Sequence, residues 1–215
     1  MKEIIVVGFG GHSKSVIDTL ERADEYRIIG YTDVKESLPY RGYQWLGTDD
    51  RLKEYYYQGV HYACVCTGYL GKGVIRDQLY YLLKRIGFQL PVIIDPTAVI
   101  AKDVPIGEGS FIGKNAVINA DSKIGKMCII NSGALMEHDS ITDDFSHVAV
   151  RTVVCGGARI GDHSFLGANS TVIQYLQVGK HVIVGAGSVV VSDLPDYCVA
   201  VGNPAKIVKY RSEQV

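Results

Sequence analysis

A histidine held between two acids, Glu137-His138-Asp139, and a second histidine nine residues on, His147, interrupt a stretch otherwise rich in small and β-branched residues, ALMEHDSITDDFSHVAV (134–150). Histidine titrates near neutral pH, so it can take a proton from an attacking amine or hydroxyl and pass it on. A neighbouring carboxylate, Asp139 or Glu137, can hold the imidazole in one tautomer and stabilise the imidazolium that forms. Attack on a carbonyl with the help of such a base also needs a donor for the oxyanion that develops. Eighteen residues after His138 comes Gly156, with Gly157 beside it, and a glycine leaves a backbone N–H open to close approach. His163 and His181 are also eighteen apart, but no third partner accompanies them, and no metal site is expected.

The interval of eighteen has a source. Stepping by six from Ile94 meets Ile100, Ile106, Ile112, Ile118, Ile124, Ile130, Met136, Thr142, Val148, Val154, Ile160, Leu166, Val172, Val178, Val184 and Val190; only Thr142 breaks the aliphatic run. The fourth residue after each is small at most steps, from Ala98 and Ser110 to Ser170 and Ser188. The phase never slips, so no loop is inserted. A six-residue period fits neither an amphipathic helix nor a hairpin; it fits a parallel β-helix built of short strands and corners. The aliphatic residue fills the interior, and the small residue sits where the turning backbone leaves no room. Glycines directly after the aliphatic position, such as Gly107, Gly161 and Gly167, suit tight corners. Three hexads close one triangular coil, which stacks positions eighteen apart at about 4.8 Å. His138 then lies at a corner and faces outward, with Gly156 one coil later on the same corner. His147 is half a coil away, on another side of the prism, so it meets His138 more readily if two chains share a site.

Residues 1–90 follow a different pattern, alternating strand and helix. EIIVVGFG predicts a buried strand, SKSVIDTLERA a helix with Ser13 as N-cap, and YRIIGYTD a second strand ending in Asp33. TDDRLKEYYYQG predicts a short helix and VHYACVCTG a third strand. VIRDQLYYLLKRIG predicts a helix with Ile75, Leu79, Leu82 or Leu83, and Ile86 on one face and Gly87 as its C-cap. The result is a small Rossmann-like α/β unit with a parallel sheet. GFGGHS stands between strand and helix, where backbone N–H groups favour an anion, but Ser13 occupies the place of the third glycine of a dinucleotide fingerprint.

The bulk properties exclude several classes. The net charge is −1 and no polybasic run occurs, which argues against a nucleic-acid or anionic-membrane partner. No apolar run is long enough to span a bilayer, and the N-terminus does not read as a signal peptide. The five cysteines show no metal-like pairing and read as reduced thiols of a cytoplasmic protein.

These repeats resemble the bacterial hexapeptide-repeat acyltransferases, whose β-helix is left-handed. With VVGFGGHSKSVID at the front, EHDSITDDFSHVAV in the middle and AVGNPAKIVK at the end, essentially the whole chain is similar to the nucleotide-sugar acetyltransferases of bacterial surface-glycan pathways. That group includes sialic acid O-acetyltransferases and amino-sugar N-acetyltransferases. The resemblance implies acetyl-CoA as co-substrate and a homotrimer with active sites between neighbouring coils. It implies His138 as the base, Asp139 as its orienting acid and Gly156 as the oxyanion donor. His147, Ala168 and Ala186 match acetyl-CoA contacts, and the tail (196–215) matches a segment near the CoA nucleotide, with Lys206 able to meet a phosphate. For the front domain it implies a UDP-sugar, with Gly10, Gly11 and His12 at the turn, Asp33 ending the second strand and Gly68 following the third. Residues 91–195 would then be the acetyltransferase domain. The chain departs from the family at Thr32-Asp33, where two acids are usual. It departs again at Arg151, where the family often reads PGA, and in TGYLGKG, which replaces a shorter Gly-Asn or Gly-Asp turn. These departures bear on the identity of the sugar and leave the acetyl chemistry alone. The expected activity is N-acetylation of a UDP-linked 4-amino-6-deoxy sugar. The alternatives are a sialic-acid-type O-acetyltransferase and a non-catalytic nucleotide-sugar-binding trimer, against which intact His138 and Asp139 argue.

Overall fold

The computed structural model describes residues 1–37, 40–71 and 73–212. They form two compact units, residues 1–69 with 73–96, and residues 97–212 with 70–71.

The first unit runs β1 (Lys2–Val7), α1 (Gly11–Ala23), β2 (Tyr26–Thr32), a 3-10 turn at Asp49–Arg51 leading into α2 (Leu52–Tyr57), β3 (Tyr62–Val65) and α3 (Ile75–Ile86). The three strands are parallel in the order β2-β1-β3, with Val7 level with Thr32 and Val65. Ile4 to Val7 are fully buried, which is why the central strand reads as a continuous apolar run. Val16, Ile17 and Leu20 bury the inner face of α1. Ser13 is not its N-cap. The helix begins at Gly11, Gly10 occupies the cap position without a side-chain bond, and the buried Ser13 hydroxyl donates back to the Gly10 carbonyl at 2.5 Å. The connection from β1 is only three residues long, and glycines let the helix start at once.

Helix α3 ends at Gly87 as expected, in the left-handed region (φ 117°), with its N–H on the Leu83 carbonyl. Leu79 and Leu83 are buried, but Ile75 is 48% exposed. Arg76 takes the inner position. Its guanidinium donates to the carbonyls of Thr67 (2.6 Å) and Val65 (3.4 Å), so a charged side chain is buried to satisfy the frayed end of β3.

The second unit is a left-handed parallel β-helix of two-residue strands. One face stacks strands from Val99–Ile100 to Val189–Val190, and a second stacks Lys123–Ile124, Ile141–Thr142, Arg159–Ile160 and Gln177–Val178. A third runs from Phe111–Ile112 through His147–Val148 to Ile183–Val184 and ends in an antiparallel hairpin, Cys198–Val201 with Lys206–Tyr210. The two-residue strands of the coil pair eighteen residues apart, for example Leu135 with Val117 and Val153, and the step shortens to sixteen where Ile183 pairs with Val199. From Ile112 to Val190 the hexad positions are buried, Thr142 included; its hydroxyl donates weakly to the Met136 sulfur at 3.8 Å. Ile94 does not fit. It is 38% exposed and its neighbour Ile93 is buried, so the interior phase starts later than the sequence step.

Two features of the corners differ from expectation. The small buried residue does more than save space: the hydroxyls of Ser110, Ser122, Ser146, Thr152 and Ser164 donate to carbonyls fifteen residues on, at 2.7–3.0 Å. The glycines after the aliphatic position are not needed for backbone conformation. A Cβ on Gly107 would lie 2.3 Å from the Lys126 nitrogen and one on Gly167 2.5 Å from the Ala186 nitrogen, so stacking of the next coil excludes a side chain. The left-handed conformation falls two residues later, at Asp139, Arg151, His163, Asn169 and His181 among others (φ 54–60°).

Candidate active site

His138 stands at the corner after the strand Leu135–Met136 and its side chain is 57% exposed. The next residue, Asp139, adopts φ 60°, a conformation that Asp tolerates better than most residues. This turn folds the carboxylate back, and Asp139 Oδ2 lies 2.8 Å from His138 Nδ1. That hydrogen bond, and the charge behind it, hold the imidazole above its ordinary pKa. Glu137 does not reach the ring; its Oε2 accepts the His138 backbone N–H at 3.3 Å. Of the two acids open on sequence grounds, Asp139 is the one bonded to the imidazole.

The other imidazole edge faces the following coil. A Cβ built on Gly156 would sit 2.7 Å from both Cε1 and Nε2 of His138. The backbone interlocks here: Gly157 N–H donates to the His138 carbonyl at 2.9 Å, and the Gly156 carbonyl accepts from Tyr175 N–H at 3.0 Å. Some corner amides at the equivalent position are capped by side chains, as Lys126 by Asp144 and Lys180 by Asp196, and others are not. Among the described residues no acceptor takes the Gly156 N–H. The structure thus brings together an imidazole open at Nε2, a carboxylate on its Nδ1 and an amide N–H without a described acceptor, an arrangement that can move a proton and hold an oxyanion.

His147 is not part of this cluster within one chain. It lies on the third face, in the strand His147–Val148, buried, with Nε2 3.2 Å from Asn131 Nδ2 and its ring edge-on to Phe165. Ala168 and Ala186 stack on a different corner, where Gly187 N–H donates to the Ala168 carbonyl at 2.9 Å. No described acceptor takes the N–H of either alanine, which leaves two amides about one coil spacing apart. Lys206 is exposed at the start of the last strand. His163 and His181 belong to an aromatic stack with Phe145 and Tyr197, with ring centroids 4.8–5.0 Å apart. No group of three or more potential metal ligands occurs among the described residues.

In the first unit, Gly10 and Gly11 border a cleft of about 570 Å³ that is also lined by Phe9, Lys14, Lys35 and Tyr40. A side chain on either glycine would meet nothing within 4 Å, so their backbone is open to a ligand. Asp33 closes the base of the turn: Oδ2 accepts Phe9 N–H at 2.7 Å and Oδ1 accepts Val34 N–H at 2.7 Å. The Phe9 ring stacks on Tyr31 at 3.6 Å. Gly68 lies beside His12, and a Cβ there would be 3.7 Å from that of His12. Sequence reasoning missed Lys14, Lys35 and Tyr40. Two lysines flanking a glycine turn are a readable signal for a phosphate, but Lys35 and Tyr40 follow β2 and only the fold carries them back to the turn.

Residues 3–80 match the PglD N-terminal domain family, and residues 104–135 and 157–192 match the hexapeptide repeat of succinyl-transferase. A histidine variant of perosamine N-acetyltransferase from Caulobacter crescentus, solved in complex with CoA and GDP-perosamine, is 34% identical, covers 97% of this chain and 98% of its own, and superposes with a TM-score of 0.92. The acetyltransferase domain of PglB from Neisseria gonorrhoeae in complex with acetyl coenzyme A is 32% identical over 96% of this chain and 99% of its own, with a TM-score of 0.89. WeeI from Acinetobacter baumannii, at 22% identity and a TM-score of 0.75, shares the fold.

Proposed function

This chain belongs to the nucleotide-sugar acetyltransferases of the hexapeptide family, and from that premise we propose that it transfers acetyl from acetyl-CoA to the amine of a nucleotide-linked 4-amino-6-deoxy sugar in bacterial surface-glycan synthesis. The observation that carries this reading is the His138 Nε2 edge facing the Gly156 amide, with Asp139 on the opposite nitrogen. The amine attacks the thioester carbonyl, His138 takes its proton, and Asp139 stabilises the imidazolium. The Gly156 N–H holds the oxyanion until the C–S bond breaks and the thiolate recovers the proton from His138. The amides of Ala168 and Ala186 suit the carbonyls of the pantetheine arm, and His147 and Lys206 are assigned to the same carrier.

The sugar nucleotide is assigned to residues 1–90, with Gly10, Gly11 and His12 at the diphosphate and Asp33 and Gly68 toward the base. Lys14 and Lys35 supply the matching positive charge. UDP is the nucleotide that the sequence resemblance favours. GDP is a second reading, favoured by the GDP-perosamine held by the similar Caulobacter enzyme. A homotrimer is supported by one face of the coil, where the half-buried outward residues Val117, Leu135, Val153 and Val189 are apolar with Thr171 among them, whereas the face bearing Lys123, Arg159 and Gln177 is mainly polar. No helix among the described residues is long and apolar enough to cross a membrane; a cytoplasmic location fits the five free cysteines and the need for acetyl-CoA.

The test is thiol release from acetyl-CoA across UDP- and GDP-linked 4-amino-6-deoxy sugars and CMP-linked or free sialic acid. Turnover confined to the amino sugars is the expected result. Turnover only with a hydroxyl acceptor would replace this reading with O-acetylation, and none with any would favour the non-catalytic one.

A further inference from the structure

Once Asp139 is bonded to the imidazole, one carboxylate in the site has no role in the chemistry. Glu137 is half-buried, immediately precedes the base, and lies one coil above Cys155, the residue before Gly156. Among the described residues its side chain makes one hydrogen bond, the long one of 3.3 Å to its neighbour's amide, which leaves the second carboxylate oxygen available. Its negative charge reaches both His138 and the Cys155 thiol, which burial and Glu137 together hold above the ordinary thiol pKa. A carboxylate, the imidazole and the oxyanion amide therefore share one patch of a single corner.

An amine acceptor reaches that patch as an ammonium ion at neutral pH, whereas a hydroxyl acceptor and the amide product are neutral. We propose that Glu137 is the group that recognises the acceptor as a cation and so selects amine over hydroxyl. The inference rests on the acetyltransferase reading. The bound ammonium releases one proton to water and becomes the nucleophile. Its lone pair forms the C–N bond, and its second proton passes to His138 Nε2. The C–S bond then breaks and the CoA thiolate takes that proton from His138. The product amide carries no charge for Glu137 to hold, which favours its release.

The test uses the full chain with Glu137→Gln, which keeps an oxygen to accept the His138 N–H and removes only the charge. Acceptors are a nucleotide-linked 4-amino-6-deoxy sugar and its 4-hydroxy counterpart, each also titrated by calorimetry. The expected result is a KM and Kd for the amine raised about tenfold, the size of one charge-assisted hydrogen bond at a half-exposed site, with the Kd of the hydroxy counterpart unmoved. Unchanged KM and Kd for the amine, equal losses for both ligands, or a fall in kcat alone would each overturn the proposal. If the wild-type protein binds the amine yet releases no thiol, the acetyl-transfer reading fails, and the calorimetric comparison still decides the role of Glu137.

Discussion

Replacing Gly156 with alanine separates the geometry of the site from the stability of the coil. Gly156 has no left-handed φ, so an alanine is not strained by its backbone. The added methyl would lie 2.7 Å from His138 Cε1 and Nε2. Ordinary van der Waals contact begins near 3.4 Å, so the imidazole must retreat by about 0.7 Å or rotate away. His138 is more than half exposed, which gives it room to do so at little cost to the fold. The same methyl also crowds the Nε2 edge that the acceptor nitrogen approaches. A displacement of this order at a reacting group lowers rate by about 100-fold. Steady-state thiol release should therefore show kcat down by about two orders of magnitude, while Tm stays within about 2 °C of wild type. A kcat within about threefold of wild type would refute the assignment of His138 and Gly156 to one reacting centre. A large fall in Tm would place the cost in coil stacking and not in the site.

The pH profile has a defined sign. Asp139 favours protonated His138, and the base works only when deprotonated, so the acid limb of kcat/KM should lie above the ordinary histidine value; Asp139→Asn should move it to lower pH and reduce kcat by about 10–100-fold. A limb that does not move would mean that another group is titrating. Ser164 Oγ donates to Gly179 O at 2.7 Å and accepts Val182 N–H at 3.0 Å while fully buried, so Ser164→Ala should cost about 1–3 kcal/mol in urea unfolding and leave KM for acetyl-CoA unchanged.

The six-residue phase determined the β-helix before any coordinates, because a buried interior favours aliphatic residues there, Thr142 alone excepted, and repeats them at the closure interval of the coil. That interval also placed Gly156 on the corner of His138. The parallel sheet of the front unit and the Gly87 cap were equally legible, since an apolar run and a left-handed glycine are local demands. Tertiary contact decided the rest. Ser13 and Ile75 lost their expected places to a short strand-to-helix turn and to Arg76, which caps carbonyls that only the folded sheet leaves open. The glycines read as corner formers turned out to be spacers against the next coil, a constraint set by residues eighteen away. The choice between Glu137 and Asp139 depended on backbone angle: the left-handed turn at Asp139 swings its carboxylate onto the ring, and a residue one place earlier cannot follow that path.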